Sequence, residues 1–254
     1  MAGKFRDPNQ KLAQLKTFPG HPGSADWGLL PSFNAVAFLD NHDNQRGHGN
    51  GAWQADGRIA NILTFHYDGN LYNLANVFML AWPYGYPDVM SSYRWPINVQ
   101  WVGDKFKDLN DWMGPPADGQ GHTKDVNCSS GEWVCEHRWD NIAEMVAFRN
   151  YTGRQQEDWT ITHWWDNGAD QIAFGRNGKG FVVINRGGGS ISNREFNTGM
   201  PGGEYCEVLH ADFNPQTKTC SGVTIKVNNA GKAVFTVAEG QAAAIYGGAR
   251  VGSN

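Results

Sequence analysis

Ala35-Val36-Ala37-Phe38-Leu39-Asp40-Asn41-His42-Asp43-Asn44-Gln45-Arg46-Gly47-His48-Gly49 decides how the chain is read. Its first five residues have the length and the β-branched or aromatic content of a strand buried on both faces, as in a parallel sheet. That run delivers Asp40, His42, Asp43, Arg46 and His48 into a glycine-rich turn. In barrels and open α/β sheets, reactive side chains sit at the C-terminal ends of such strands, where loops leave room for a ligand. The structural alternative is that Asp40 and Asn41 cap the strand while His42, Arg46 and His48 make local hydrogen bonds. So much polar capacity beside a buried strand has to be satisfied in one way or the other.

Working outward, Asp7-Pro8 followed by Lys11-Leu12-Ala13-Gln14-Leu15 predicts a short helix with Pro in its first turn. A Gly- and Pro-rich loop runs from Pro19 to Asp26. Downstream, Leu71, Leu74, Val77 and Phe78 within Gly69 to Ala81 have the spacing of one helical face, and Pro83 ends the element. Val89-Met90-Ser91-Ser92 then reads as the next parallel strand, which makes a strand, helix, strand unit of the barrel-building kind. A long loop from Tyr93 to Cys135 has the length of a functional segment. A helix is expected from Glu136 to Asn150, with Trp139, Ile142, Met145 and Val146 on one face.

From Trp159 onward the pattern changes to period two. Strands are predicted at Trp159 to Thr162, Gln171 to Phe174, Phe181 to Ile184, Tyr205 to Val208, Val223 to Val227 and Ala233 to Val237, most of them separated by Gly or Asn turns. This is the pattern of an antiparallel sandwich or Greek key. The expected division is an α/β part over residues 1–152 and an all-β domain over 153–254.

Net charge of -4 with scattered Lys and Arg leaves no basic stripe for a nucleic-acid backbone. No run approaches the roughly 20 apolar residues of a membrane span, and the first residues lack the apolar stretch of a signal peptide. An uncharged or weakly charged partner is expected, and 32 aromatic residues (11 Trp, 13 Phe, 8 Tyr) offer flat rings that could stack on sugars.

Four motifs stand in order: Phe38 to Gly49, Met90-Ser91-Ser92-Tyr93-Arg94-Trp95-Pro96, Asp111-Trp112-Met113-Gly114-Pro115-Pro116 and Trp133-Val134-Cys135-Glu136-His137-Arg138-Trp139. Together, over roughly residues 30 to 254, they resemble the animal-type, chloride-dependent α-amylases of glycoside hydrolase family 13. The resemblance implies retaining endo-hydrolysis of α-1,4 bonds in starch and glycogen. It matches the runs at 35–40 and 89–92 to the seventh and eighth strands of a (β/α)8 barrel, followed by the family's antiparallel β domain. Only some 150 residues are α/β, whereas such a barrel usually needs about 250, so the first six strands are expected to lie on a missing N-terminal part.

The site residues implied follow from that match. Asp43 is the third acidic residue, which binds sugar hydroxyls and stabilises the oxocarbenium-like transition state; His42 hydrogen-bonds the same sugar. His48 belongs to a mobile glycine-rich loop that touches substrate, and Asp111 and Trp112 line an outer subsite. Asn41 and Arg94 match two chloride ligands, the third being absent. The nucleophile and general acid have no counterpart here, so the chain by itself is expected to be inactive. Asp40 and Asp43 do not substitute for them, because a spacing of three at a strand end makes their side chains diverge. A non-catalytic glucan-binding or complementing fragment is the alternative. No metal ligands are assigned: calcium is expected for the full-length relatives, with its ligands upstream.

Cysteine spacing fits two local disulfides that would resemble the family's bridges, Cys128 with Cys135 and Cys206 with Cys220, and neither pair has zinc spacing. An oxidising, extracellular destination is therefore expected for the full-length protein, with a leader upstream. Asn127-Cys128-Ser129 and Asn150-Tyr151-Thr152 have the form of glycosylation acceptors.

Overall fold

The computed structural model describes residues 1–49, 51–153 and 160–252. Three apolar clusters are buried among them, and one sheet separates the two larger ones. That sheet has four strands in the order β14-β7-β6-β5: β5 is Ile161–Asp166, β6 Gln171–Arg176, β7 Gly180–Asn185 and β14 Gln241–Tyr246, all antiparallel. Side chains alternate between its faces with the period of two that a strand imposes. Ala173, Phe181, Val183, Ala243 and Ile245 point inward against Ile191, Phe196, Val227, Ala233, Phe235 and Val237. These partners come from β8 (Ile191–Asn197), β12 (Thr224–Val227) and β13 (Lys232–Val237).

Pairing in this domain is nested: β7 with β14, β8 with β13, and β9 (Gly203–Cys206) with β12, closed by the short ribbon of β10 (Phe213–Asn214) and β11 (Thr219–Cys220). The expected antiparallel architecture is present, with β8, β10, β11 and β14 in addition to the runs read from the sequence. The strand expected from Trp159 is seen as Ile161–Asp166, and Trp159 lies outside the described residues.

The other face of the sheet is buried as well. Ile172, Phe174, Val182, Ile184, Ala242, Ala244 and Tyr246 join a core that includes α2 (Gly69–Ala81) and α3 (Asp140–Thr152). Helix α2 is buried almost all round, which suits a helix wedged between a sheet and a neighbouring helix. Its C-terminal end is held by two buried arginines: Arg176 of β6 donates to Ala81 O (2.5 Å), and Arg149 of α3 donates to Trp82 O and, beyond the helix, to Gly85 O (2.7 Å). Last-turn carbonyls have no partners within the helix, and cations favour that end of the dipole. Apolar packing is therefore continuous across the boundary expected near residue 152.

The N-terminal elements differ from expectation in several places. Pro8 holds Asp7 extended (φ −74°, ψ 120°), so α1 (Ala2–Arg6) stops before it and Leu12–Thr17 forms a separate 3-10 turn. The run at 35–40 pairs only over β1 (Val36–Ala37), in parallel with β2 (Tyr86–Pro87). The second parallel strand is thus not Val89 to Ser92. Ser92 N–H instead donates to Glu136 Oε2 (2.7 Å), and its carbonyl accepts from Val134 N–H (2.9 Å). Nor is the first strand buried on both faces: Val36 is 60% exposed and Phe38 44%, and among the described residues β1 pairs with β2 alone.

The long loop holds a hairpin, β3 (Val99–Val102) with β4 (Lys105–Asp108). The helix expected from Glu136 is broken at Trp139, which is extended, into a 3-10 turn (Glu136–Arg138) and α3. Among the described residues no helix is long and apolar enough to cross a membrane.

Candidate active site

The polar segment after β1 folds on itself. Asn41 Oδ1 accepts from the N–H groups of Asp43 (3.1 Å) and Asn44 (2.9 Å), while Asn44 Oδ1 accepts from Asn41 N–H (2.7 Å). This Asx-type closure, followed by the 3-10 turn Asn44–Arg46 and the left-handed Gly47, presents Asp43 and His42 outward. Their side chains are 64% and 79% exposed and stand 3.5 Å apart. The two carboxylates of the motif are thereby separated. Asp40 is buried, receives the Tyr72 hydroxyl (3.2 Å), and has its pKa raised to about 8 by loss of hydration and by nearby Glu136. It is a core group and is unavailable as a partner for Asp43.

Arg46 ties the turn to the long loop. Its guanidinium lies 4.1 Å from the Trp95 ring and 4.9 Å from that of Tyr93, and Nη1 donates to Asp111 O (2.7 Å). Trp53 Nε1–H donates to Arg46 O (2.9 Å), and the indole packs so closely on Gly47 that a Cβ there would sit 2.4 Å from it. Arg46 and Trp53 carry no role in the motif reading; the aromatic pair Tyr93 and Trp95 in the second motif was the available signal.

His48 Nε2 and Asp111 Oδ2 meet at 3.3 Å. They flank a cleft of about 450 Å³, whose other walls include Gly47, Trp53, Phe106 and Lys107. Trp112, next in sequence to Asp111, is 76% exposed, with its indole N–H on Leu109 O (3.0 Å). The fold thus brings His48 to Asp111, and His42 to Asp43. Arg94 is exposed, and its side chain makes no ion pair or hydrogen bond among the described residues; Asn41 Nδ2 is equally unengaged. Among the described residues no group of three or more His, Cys, Asp or Glu stands together as a metal site.

Both disulfides are formed, Cys128–Cys135 (Cα–Cα 5.7 Å) and Cys206–Cys220 (5.4 Å). The first closes the loop before Glu136, the buried carboxylate that holds Ser92.

Residues 162–248 match the family model described as "Alpha amylase, C-terminal all-beta domain". The chain is 42% identical to the pancreatic alpha-amylase of Struthio camelus over 95% of its own length and 46% of that protein's, and 44% identical to the alpha-amylase of Oryzias latipes over 92% and 42%. The crystal structure of alpha-amylase I from Eisenia fetida superposes with a TM-score of 0.79 at 44% identity, covering 96% of this chain and 47% of that one. A variant of the same earthworm enzyme, crystallised with maltohexaose, superposes equally well (TM-score 0.79, 43% identity, 96% and 46% coverage). The chain spans a little under half the length of these relatives. The resemblance drawn from the four motifs is therefore borne out: this chain carries the α-amylase C-terminal all-β domain and is related to animal α-amylases over nearly all of its length.

Proposed function

We propose that these 254 residues supply one wall of the glucan cleft of an α-amylase and that they are catalytically incomplete alone. The observation that carries this reading is the outward placement of His42 and Asp43 at the end of β1, with Asp40 turned into the core. Retaining glycoside hydrolysis needs a nucleophile and a proton donor about 5 Å apart, and Asp43 has no such second carboxylate in its own motif. In the proposed whole enzyme, internal α-1,4 bonds of starch or glycogen are hydrolysed with retention, and this chain's residues orient and stabilise.

Asp43 accepts hydrogen bonds from sugar hydroxyls and balances the positive charge that grows on the ring. His42 donates to an oxygen of the same sugar. His48 and Asp111 grip a neighbouring unit, and Trp112 offers it a flat face. Asn41 and Arg94 are proposed as part of a chloride site, supported by their unengaged donors; chloride would supply a fixed negative charge beside the catalytic groups. Residues 1–152 are read as the last two strand–helix units of a barrel, β1 and β2 with their helices, and 153–254 as the β domain beneath. The apolar face of β1 and β2 would pack on the barrel part supplied by the rest of the protein. The two disulfides support an extracellular location.

Titration calorimetry with maltoheptaose tests this. Saturable binding by the purified chain, abolished in Asp43→Ala with the thermal transition unchanged, is expected; binding that survives Asp43→Ala contradicts the assignment. Binding without hydrolysis is common to this reading and to a stand-alone binding module. Mixing the chain with the separately produced complementary half separates them, since only the amylase reading predicts that hydrolysis appears.

A further inference from the structure

The hairpin of β3 and β4 is not used by the four motifs, yet it forms part of the cleft. Its register places Val99 opposite Asp108 and Trp101 opposite Phe106, so all four side chains lie on one face of the ribbon. Val99 and Phe106 pack on the cluster of Trp53, Ile59, Ile62 and Trp95. Asp108 pins the base: Oδ2 accepts from Trp95 Nε1–H (2.6 Å), and Oδ1 accepts from Asn98 N–H (2.8 Å) and Asn110 N–H (3.0 Å). A main-chain bridge between Trp53 and Phe106 adds a third attachment. The hairpin is thus a rigid arm.

Trp101 is the one residue of that face which the core does not claim. Trp53 and Trp95 fill the interior here and are 7% and 8% exposed, whereas Trp101 is 62% exposed. Its ring is nevertheless held in place, edge-on to Phe106 with centroids 4.7 Å apart at 69°. Phe106 in turn lines the cleft together with His48 and Asp111. An oriented indole face therefore stands one ring away from the cleft lining, on the same arm. What sets Trp101 apart is the fixed orientation of its ring beside a residue of the cleft lining, and the apolar face of a pyranose ring fits an immobilised indole.

We propose that Trp101 is an outer stacking site for α-glucans, engaging sugar units beyond those held by His42, Asp43, His48 and Asp111. It rests on the glucan-cleft reading above. The site reads chain length: a short oligosaccharide fills the cleft without reaching the indole, while a longer one continues onto it.

Calorimetric titration of maltotriose and maltoheptaose into the 254-residue chain, into Trp101→Ala and into Trp101→Phe tests this. Expected is a loss of about tenfold in maltoheptaose affinity for Trp101→Ala, the scale of one aromatic contact, with maltotriose affinity and the thermal transition unchanged. Most of the loss returns in Trp101→Phe. Equal maltoheptaose affinity in the wild type and Trp101→Ala overturns the outer site and leaves the cleft reading standing. So does an equal loss for both ligands, which would put Trp101 inside the cleft. If the wild type binds neither oligosaccharide, the cleft reading itself fails and the outer site falls with it.

Discussion

The sheet at the centre of the β domain and the ribbon of β1 and β2 are both runs of apolar residues, but one is covered on two faces and the other is not. Strands β6 and β7 are buried at every position, between the sandwich interior and helices α2 and α3. On the ribbon, Val36, Phe38 and Tyr86 face solvent, joined by Leu29, Leu30 and Phe33 from the preceding loop. Apolar content is thus answered within the chain in one region and left open in the other. An open apolar surface of this kind marks an interface. The polar half of the candidate site sits at the end of that open ribbon.

The difference is broken most severely by emptying the covered core. Phe174→Ala removes a fully buried ring between α2 and the sheet and is expected to cost about 3–5 kcal/mol, read as a lower urea midpoint. A cost below about 1 kcal/mol would show that this sheet face is less committed than its burial indicates. Opening Cys206–Cys220 in the double Ser variant should cost about 2–4 kcal/mol by freeing the loop in the unfolded chain. Thermal unfolding of the double Ser variant beside the oxidised wild type checks it, and an unchanged transition would contradict it.

The third effect is pH dependent and concerns the junction of the two regions. Folded Asp40, with its pKa raised to about 8, keeps a proton that the unfolded chain releases near the usual carboxylate pKa. Folded protein therefore binds more protons between those values, and stability falls as pH rises through that window. His66, lowered to about 4 by burial, opposes this below its unfolded pKa of about 6.5, where the unfolded chain takes up the proton. Between pH 6.5 and 8 the raised pKa of His210 adds to the Asp40 slope and the lowered pKa of the N-terminal amine opposes it, while the Asp40 share is at most about 1.4 kcal/mol per pH unit. Asp40→Asn should remove that share; an unchanged slope would show that Asp40 is ionised in the fold.

The smallest effect on stability is expected on the open ribbon. Val36→Thr and Phe33→Ser should change the urea midpoint by no more than about 0.5 kcal/mol. They should nonetheless lower the binding of an apolar dye and slow aggregation, which a buried site would not do.

Legibility in the sequence follows the same division. Helix α2 was readable to its ends, because Gly69, the apolar spacing and Pro83 all agree. The period-two runs of the β domain were readable because apolar and polar residues alternate there, but Ile191–Asn197 was not: Ser192 to Glu195 is polar and only Ile191 and Phe196 are buried. Strand pairing near the site was not readable. Val89 to Ser92 has strand-like composition, yet a carboxylate 44 residues further on, Glu136, captures Ser92 N–H. Likewise the motif shows Asp40 and Asp43 as equals, and only the fold turns one toward Tyr72 and the other toward solvent. The cleft formed by His48, Asp111 and the hairpin depends on Arg46 reaching across 65 residues to Asp111 O, a contact no local pattern announces.

The central claim, that the open region is one wall of a site whose nucleophile and proton donor lie elsewhere, meets its most direct test in starch hydrolysis. Reducing ends released from soluble starch by the purified 254-residue chain, followed against a buffer blank, should not rise above that blank. Release above the blank that disappears in Asp43→Asn would contradict the account, because the catalytic pair would then have to be present among these residues.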